Sequence, residues 1–137
     1  MSKFFSHFLF VLFIIFFFAC TSSAPPPTEN ELIKIYTEHE SAINSLLDNP
    51  DNPARKAGLG VKSIHILPAD SRVVHFSFWS KDFFGPGGAS KGLAYLEKVP
   101  KTLVSSVDNN PDVKPPNQGI FYRRINENWY VFYQSTD

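Results

Sequence analysis

The sequence predicts an α+β fold in which an N-terminal amphipathic helix packs on an antiparallel sheet of four to five strands. Three observations lead to this fold class. Apolar residues recur at helical spacing before residue 48, the period changes to two from Val61 onward, and turn-forming residues separate the alternating segments. We expect one domain over residues 28–137, because a chain of this length suits a single compact core.

The predicted helix begins at a capping box. In the stretch TENE, the hydroxyl of Thr28 can accept a hydrogen bond from the backbone N–H of Glu31, whose carboxylate can accept one from Thr28. A stripe of residues at helical spacing follows: Leu32, Ile35, Tyr36, His39, Ala42, Ile43, Leu46 and Leu47. The helix should end near Pro50, because a residue before proline disfavours helical backbone. The stretch DNPDNPARKAGLG is predicted to be a loop.

Alternating segments predict the strands of the sheet, in the order of an antiparallel meander. Two strands centre on Ile64–Ile66 and Val74–Phe78, and further strands are expected around residues 91–96, 120–125 and 129–134. The long connection before residue 119 is rich in Pro and Asn. Within it, a short helical turn is expected at residues 103–107.

The first two strands also predict a histidine pair. If the isoleucines of the first strand share a core face with Val74 and Phe76, the register places His65 opposite His75 on the other face, about 5 Å away. Two imidazoles at that spacing are weak candidates for metal ligands, but two ligands do not close a site. We therefore predict no metal and interpret the pair as polar surface residues.

The first twenty residues have the pattern of an export signal. Lys3 precedes an apolar run over residues 4–18, which is followed by Ala19 and Cys20. The run is shorter than the roughly 20 apolar residues that span a bilayer. We therefore expect residues 1–19 to be a signal peptide that is cleaved after Ala19; an uncleaved signal anchor is the alternative.

Cys20 is the only cysteine in the chain, so it forms no intramolecular disulfide. Its position directly after Ala19 resembles the lipobox of bacterial lipoproteins, with Phe17 where that family usually has Leu. The resemblance implies that Cys20 is lipidated, with palmitate as an acyl group, and that Thr21 directs the protein to the periplasmic face of the outer membrane. Several acyl chains make a stable membrane anchor. Residues 20–27 are then a proline-rich tether that lifts the domain off the bilayer.

The charge balance argues against nucleic acid as a partner. The chain has 13 basic and 13 acidic residues and no basic run, whereas nucleic-acid-binding domains present a basic patch. The glycine stretch DFFGPGGASKGL is not a phosphate-binding loop, because Ser90 precedes Lys91 and Gly92 follows it, where a P-loop has Gly-Lys-Ser/Thr. We predict that this stretch is a hairpin loop and that the protein has no cofactor.

Aromatic residues near the glycine stretch and at the C-terminal end predict a partner-binding surface. Phe83 and Phe84 are neighbours that point to opposite faces of extended backbone, so one can be exposed at the loop tip. Successive aromatic residues of the last strand lie on opposite faces, with Trp129 and Tyr133 on one face and Tyr130 and Phe132 on the other. This pattern predicts a strand covered on both sides or one face offered to a partner. We predict that Phe83, Phe84, Lys91, Trp129 and Tyr133 contact a protein partner.

The stretches SKGLAYLEKVP and FYRRINENWYVFY resemble small bacterial lipoproteins that end in a Lys-Gly…Tyr strand and a Trp-Tyr hairpin. This resemblance covers roughly the last third of the chain and implies no activity.

No acid–base, nucleophile or metal set stands out in the sequence. We therefore expect a lipid-anchored protein of the cell envelope that binds another envelope protein and is not an enzyme. The alternative is a small-ligand-binding or hydrolytic protein that uses a pocket between helix and sheet.

Overall fold

A computed structural model of the protein describes residues 24–82, 87–113 and 118–136. The described chain contains two helices and a five-stranded antiparallel sheet, which confirms the α+β class. The elements are α1 (Glu29–Asp48), α2 (Pro53–Leu59), β1 (Ser63–Leu67), β2 (Val73–Asp82), β3 (Gly88–Leu96), a 3-10 helix (Pro111–Val113), β4 (Gly119–Arg124) and β5 (Trp129–Thr136).

Helix α1 begins as its sequence predicts. The backbone N–H of Glu31 donates to the hydroxyl of Thr28 at 3.2 Å, and the N–H of Thr28 donates to the Glu31 carboxylate at 2.6 Å. The helix buries its apolar stripe, including Leu32 and Leu46, against the sheet. His39 is the exception: its backbone is non-helical at a kink and its side chain is exposed, so its predicted place on the core stripe is wrong.

The stretch predicted to be a loop contains helix α2. The side chain of Asn52 accepts the backbone N–H of Arg55 at 3.1 Å, and Pro53 occupies the first turn, where a missing N–H is tolerated. Gly60 ends the helix in the left-handed conformation, with φ of 80°. No residue of α2 is buried, so the helix has no apolar stripe that periodicity could reveal.

The strand order is β1-β2-β3-β5-β4, so the predicted meander is wrong in its last step. Strand β5 lies between β3 and β4, because the connection after β3 runs to the far edge of the sheet before β4 begins. Part of that connection is extended beside β4: Val104 donates its N–H to the carbonyl of Tyr122 at 2.8 Å, and Tyr122 donates to Thr102 at 3.0 Å. This extended stretch replaces the helical turn expected at residues 103–107.

The register predicted for β1 and β2 is confirmed, with His65 opposite His75 and Ser63 opposite Ser77. The expected burial of β1 is only partly correct. Ile64 packs at the margin of the core, but Ile66 is 62% exposed. Helix α1 contacts β3 and β5 and does not extend over the outer end of β1, which explains the difference.

The sheet is buried on both faces around β5. On the face under α1, Trp129 and Val131 join a core with residues of the helix. On the opposite face, Tyr130 and Phe132 belong to a second apolar cluster with Tyr122 of β4. Of the two alternatives predicted for the last strand, the structure therefore shows the strand covered on both sides.

Candidate functional site

Several predicted site residues lie outside the described part of the chain. These are Ala19 and Cys20 at the expected processing site, and Phe83 and Phe84 in the glycine stretch. The roles proposed for them stay predictions. The described end of the glycine stretch starts at Gly87, whose φ of 100° suits glycine in the loop between β2 and β3.

Lys91 is only 3% exposed, because its side chain lies under the start of α1. Its ammonium group pairs with the carboxylate of Asp108. The second oxygen of that carboxylate accepts the backbone N–H of Glu29 at 2.8 Å, and the Glu29 side chain is buried and paired with Arg123 at 2.6 Å. These contacts tie α1 to β3 and β4. The structure thus gives Lys91 an internal role in place of the predicted partner contact.

Trp129 is also an internal residue. Its ring lies 5.3 Å from that of Tyr36 and 5.5 Å from that of Phe76, measured between centroids. Tyr133 is half-buried, and burial raises the pKa of its hydroxyl. Of the predicted partner-binding residues that the structure describes, Tyr133 alone retains a partly accessible side chain.

Both histidines face the same side of the sheet, but the interpretation of the pair as polar surface residues is wrong for His75 and holds only for His65. His75 is buried: its ring stacks on Phe132 at 4.3 Å between centroids, and its Nε2 lies 2.8 Å from the hydroxyl of Tyr122. Burial, with a smaller contribution from His65, lowers the pKa of His75 to about 4, so its ring is neutral at neutral pH. His65 is exposed and its Nε2 lies 3.1 Å from the hydroxyl of Ser63. In the described residues no third metal-ligating side chain joins the pair.

The contact between His75 and Tyr122 crosses two strands. In a flat sheet β2 and β4 would lie about 14 Å apart, because β3 and β5 separate them. At the level of His75, β3 contributes Gly92 and Ala94 to this face. These small residues leave room for the larger side chains to lean over β3 and meet.

A polar concavity of about 340 Å³ lies beside the buried histidine on the same face. Its main polar lining consists of Ser63, His65, His75, Ser77, Ser90 and Gln134. We call this site the polar concavity. No side chain that lines it in the described chain carries a formal charge when the histidines are neutral.

The sequence analysis did not bring Ser90 and Gln134 into this site. They lie opposite each other on β3 and β5, and Ser80 of β2 pairs with Ser90. A β-bulge shifts the pairing between Ser77 and Trp79, and this shift returns Ser80 to the face of the histidines. Alternation along single strands cannot show the bulge or the insertion of β5 beside β3.

The two edges of the sheet differ in whether another segment of the described chain covers them. The edge of β4 is covered by the extended stretch at residues 102–104. At β1, no backbone hydrogen bond from another described segment reaches the outer edge between Ile64 and Leu67. Strand β1 contains no charged residue and no proline, the features that usually prevent an edge strand from pairing. Within the described chain, the outer edge of β1 beside the exposed Ile66 is therefore unpaired.

The proline-rich stretch before α1 lies against the domain. The indole N–H of Trp79 donates to the carbonyl of Ala24 at 2.9 Å. Pro25 and its two following prolines line a surface groove with Ile35 of α1 and Leu59 of α2. The described end of the predicted tether is therefore docked on the domain.

Comparisons with known proteins found no match to a protein-family model, to a curated protein or to a solved structure. Among the described residues, no helix has the length and apolar character needed to cross a membrane.

Proposed function

We propose that the protein is a lipid-anchored protein of the cell envelope that binds another protein and does not catalyse a reaction. The observation that carries the binding role is the open edge of β1. An edge strand presents a row of unpaired backbone N–H and C=O groups, and a partner strand that pairs with it gains main-chain hydrogen bonds. Ile66 beside this row offers exposed apolar area for specificity.

The contrast with β4 supports this assignment. The fold covers one edge with its own chain, whereas β1 has neither a covering segment in the described chain nor a charged residue to discourage pairing. The alternative role, a ligand pocket between helix and sheet, has less support. The space under α1 is filled by apolar side chains such as Leu32, Leu46 and Leu93, each fully buried.

The membrane anchor is proposed from the signal pattern and from Cys20. Once residues 1–19 are removed, α1 becomes the N-terminal helix that packs on the sheet. Ala24 is docked on Trp79, and the four Cα–Cα steps from Cys20 to Ala24 span at most about 14 Å. A lipidated Cys20 therefore holds the domain close to the bilayer, with the Trp79 side nearest the membrane.

Labelled palmitate tests the anchor. We expect wild-type protein to incorporate the label and to remain in the membrane fraction after high-salt washing. Cys20→Ser should lose the label and the membrane association, while an exposed serine changed elsewhere, Ser41→Ala, should behave as wild type. A mature chain with an unmodified Cys20 thiol would contradict the anchor without affecting the binding role.

A photocrosslinking amino acid tests the open edge. Placed at position 66 in intact cells, it should give a discrete crosslinked product with one protein, because a strand partner lies beside this side chain. Position 99 is the matched control, since Val99 is 58% exposed but does not belong to β1. Ile66→Lys in the same chain, with the crosslinker moved to position 64, should abolish the product. Identical products from positions 66 and 99 would contradict the proposal.

A further inference from the structure

The polar concavity continues into a second hollow toward the glycine stretch. This second hollow has a volume of about 220 Å³ and is lined by Lys81, Asp82, Gly88 and Thr136 among others. Ser90 and Gln134 line both spaces, so the two form one polar trough across β2, β3 and β5. The trough uses side chains and is separate from the backbone edge of β1.

The wall of the polar concavity contains polar atoms that make no hydrogen bond within the described chain. Ser77 is only 3% exposed, and its hydroxyl makes no hydrogen bond with any described residue. His75 uses Nε2 for Tyr122, and its Nδ1 has no partner in the described chain. Neither atom is sealed off from the concavity, because the Tyr130 hydroxyl is the only unbonded side-chain polar atom of the described chain that is fully buried. A group that enters the concavity can supply the missing bonds.

The chemistry of the lining selects the class of ligand. The concavity presents serine hydroxyls, a glutamine amide and imidazoles, each of which can both donate and accept a hydrogen bond. It presents no ammonium, guanidinium or carboxylate group to neutralise a charged ligand, and burying an unpaired charge is costly. A ligand whose own groups both donate and accept, and which carries no net charge, fits this set best.

We propose that the polar concavity binds a neutral saccharide, with one sugar unit in the concavity and its neighbour toward the second hollow. Sugar hydroxyls donate and accept hydrogen bonds as serine hydroxyls do. The volume of about 340 Å³ is at the small end of the range for ligand pockets, as expected for a single unit. Leu67 in the lining offers apolar contact to the C–H face of the ring.

Calorimetric and NMR titrations of the full chain, purified in a detergent without a sugar headgroup, test this inference. The neutral probes are glucose, galactose and N-acetylglucosamine, and the charged counterparts are glucuronate and glucose 6-phosphate. We expect at least one neutral sugar to bind with saturable amide shifts at Ser77, Ser90 and Gln134. Its charged counterpart should bind at least about tenfold more weakly, as expected for an uncompensated charge.

Substitutions connect the binding to the concavity. Ser90→Ala and Gln134→Ala remove half-buried polar groups and should each weaken binding about fivefold to tenfold, the effect of one lost hydrogen bond. Ser41→Ala on the exposed side of α1 should not change it. The proposal is overturned if none of the three neutral sugars saturates below about 10 mM, a weak affinity. Equal binding by the charged sugars, or by the Ser90→Ala and Gln134→Ala variants, also overturns it. Neither substitution lies on β1, so failure of sugar binding would leave the protein-binding role of the β1 edge to the crosslinking experiment.

Discussion

One face of the sheet is covered by a helix, whereas the opposite face is covered at one end by its own side chains and is open at the other. Under α1, Leu32, Leu46 and Phe76 form a dry apolar core. On the opposite face, Tyr122 and Phe132 close over the small residues of β3. Toward the glycine stretch, that face opens into the polar trough.

This difference separates stability from binding within one sheet. Under α1, no fully buried side-chain polar atom of the described chain lacks a hydrogen bond, as expected for a face that supports the fold. The opposite face contains a neutral buried histidine, a tyrosine hydroxyl that no described residue bonds, and a serine facing the concavity. Substitutions on the two faces should therefore change the free energy of unfolding by different amounts, with different signs and with a different dependence on pH.

The largest effect is expected from Leu46→Asp on the face under α1. Leu46 is fully buried, and an aspartate there would bury a charge without a partner. We expect a loss of more than about 4 kcal/mol in the free energy of unfolding, enough to unfold a marginally stable domain. Ser41→Asp adds the same charge on the exposed side of the helix and should change stability by less than about 0.5 kcal/mol. Thermal melting of both variants checks this, and equal melting temperatures would show that the stripe is not core.

The next effect tests the backbone packing beneath the opposite face. A Cβ at Gly92 would lie 1.9 Å from the carbonyl oxygen of Phe76, and neither atom belongs to a flexible side chain. Gly92→Ala should cost about 3 kcal/mol or more. Gly58 in α2 has no neighbour within 4 Å of such a Cβ, so Gly58→Ala should instead stabilise by up to about 1 kcal/mol. Urea unfolding of the two variants should move in opposite directions; a shift of the same sign in both would refute the argument.

Local patterns predict the elements of the face under α1. The capping box at Thr28 and the apolar stripe predict where α1 lies, and alternation in β1 and β2 predicts their register. Both signals act between residues that are close in sequence. Helix α2 is not predicted because none of its residues is fully buried, and the place of β5 depends on a long connection without periodicity.

The candidate site is less predictable for the same reason. The pairing of His65 with His75 follows from the register, but the burial of His75 depends on Tyr122, which lies 47 residues later in the chain. The glycines beside Lys91 led to the prediction that this residue is exposed. In the structure, Lys91 instead forms an ion pair with Asp108 and lies under α1. Long-range ion pairs and ring stacking of this kind leave no mark on local alternation.

A pH effect on stability is also expected from the opposite face. Burial lowers the pKa of His75 from 6.5 to about 4, so between these values the unfolded chain binds a proton that the folded chain does not. Stability from this group is fully present above pH 6.5 and is lost as the pH falls to about 4, by about 3 kcal/mol. His75→Gln should remove this component, while His39→Gln, at an exposed position, should retain it. Urea unfolding across this pH range measures it, and an unchanged pH dependence in His75→Gln would exclude His75 as its source.

The smallest changes in stability are expected at two tyrosines that are neighbours on the opposite face. The hydroxyl of Tyr122 is hydrogen-bonded to His75 at 2.8 Å, whereas the buried hydroxyl of Tyr130 has no partner in the described chain. Tyr122→Phe leaves the imidazole Nε2 unbonded and should cost about 1 to 2 kcal/mol. Tyr130→Phe removes an unsatisfied hydroxyl and keeps the ring that faces Arg124, so it should leave stability unchanged or raise it by up to about 1 kcal/mol. Chemical unfolding of each variant at neutral pH decides between the signs. A loss at Tyr130 as large as that at Tyr122 would mean that its hydroxyl is bonded after all.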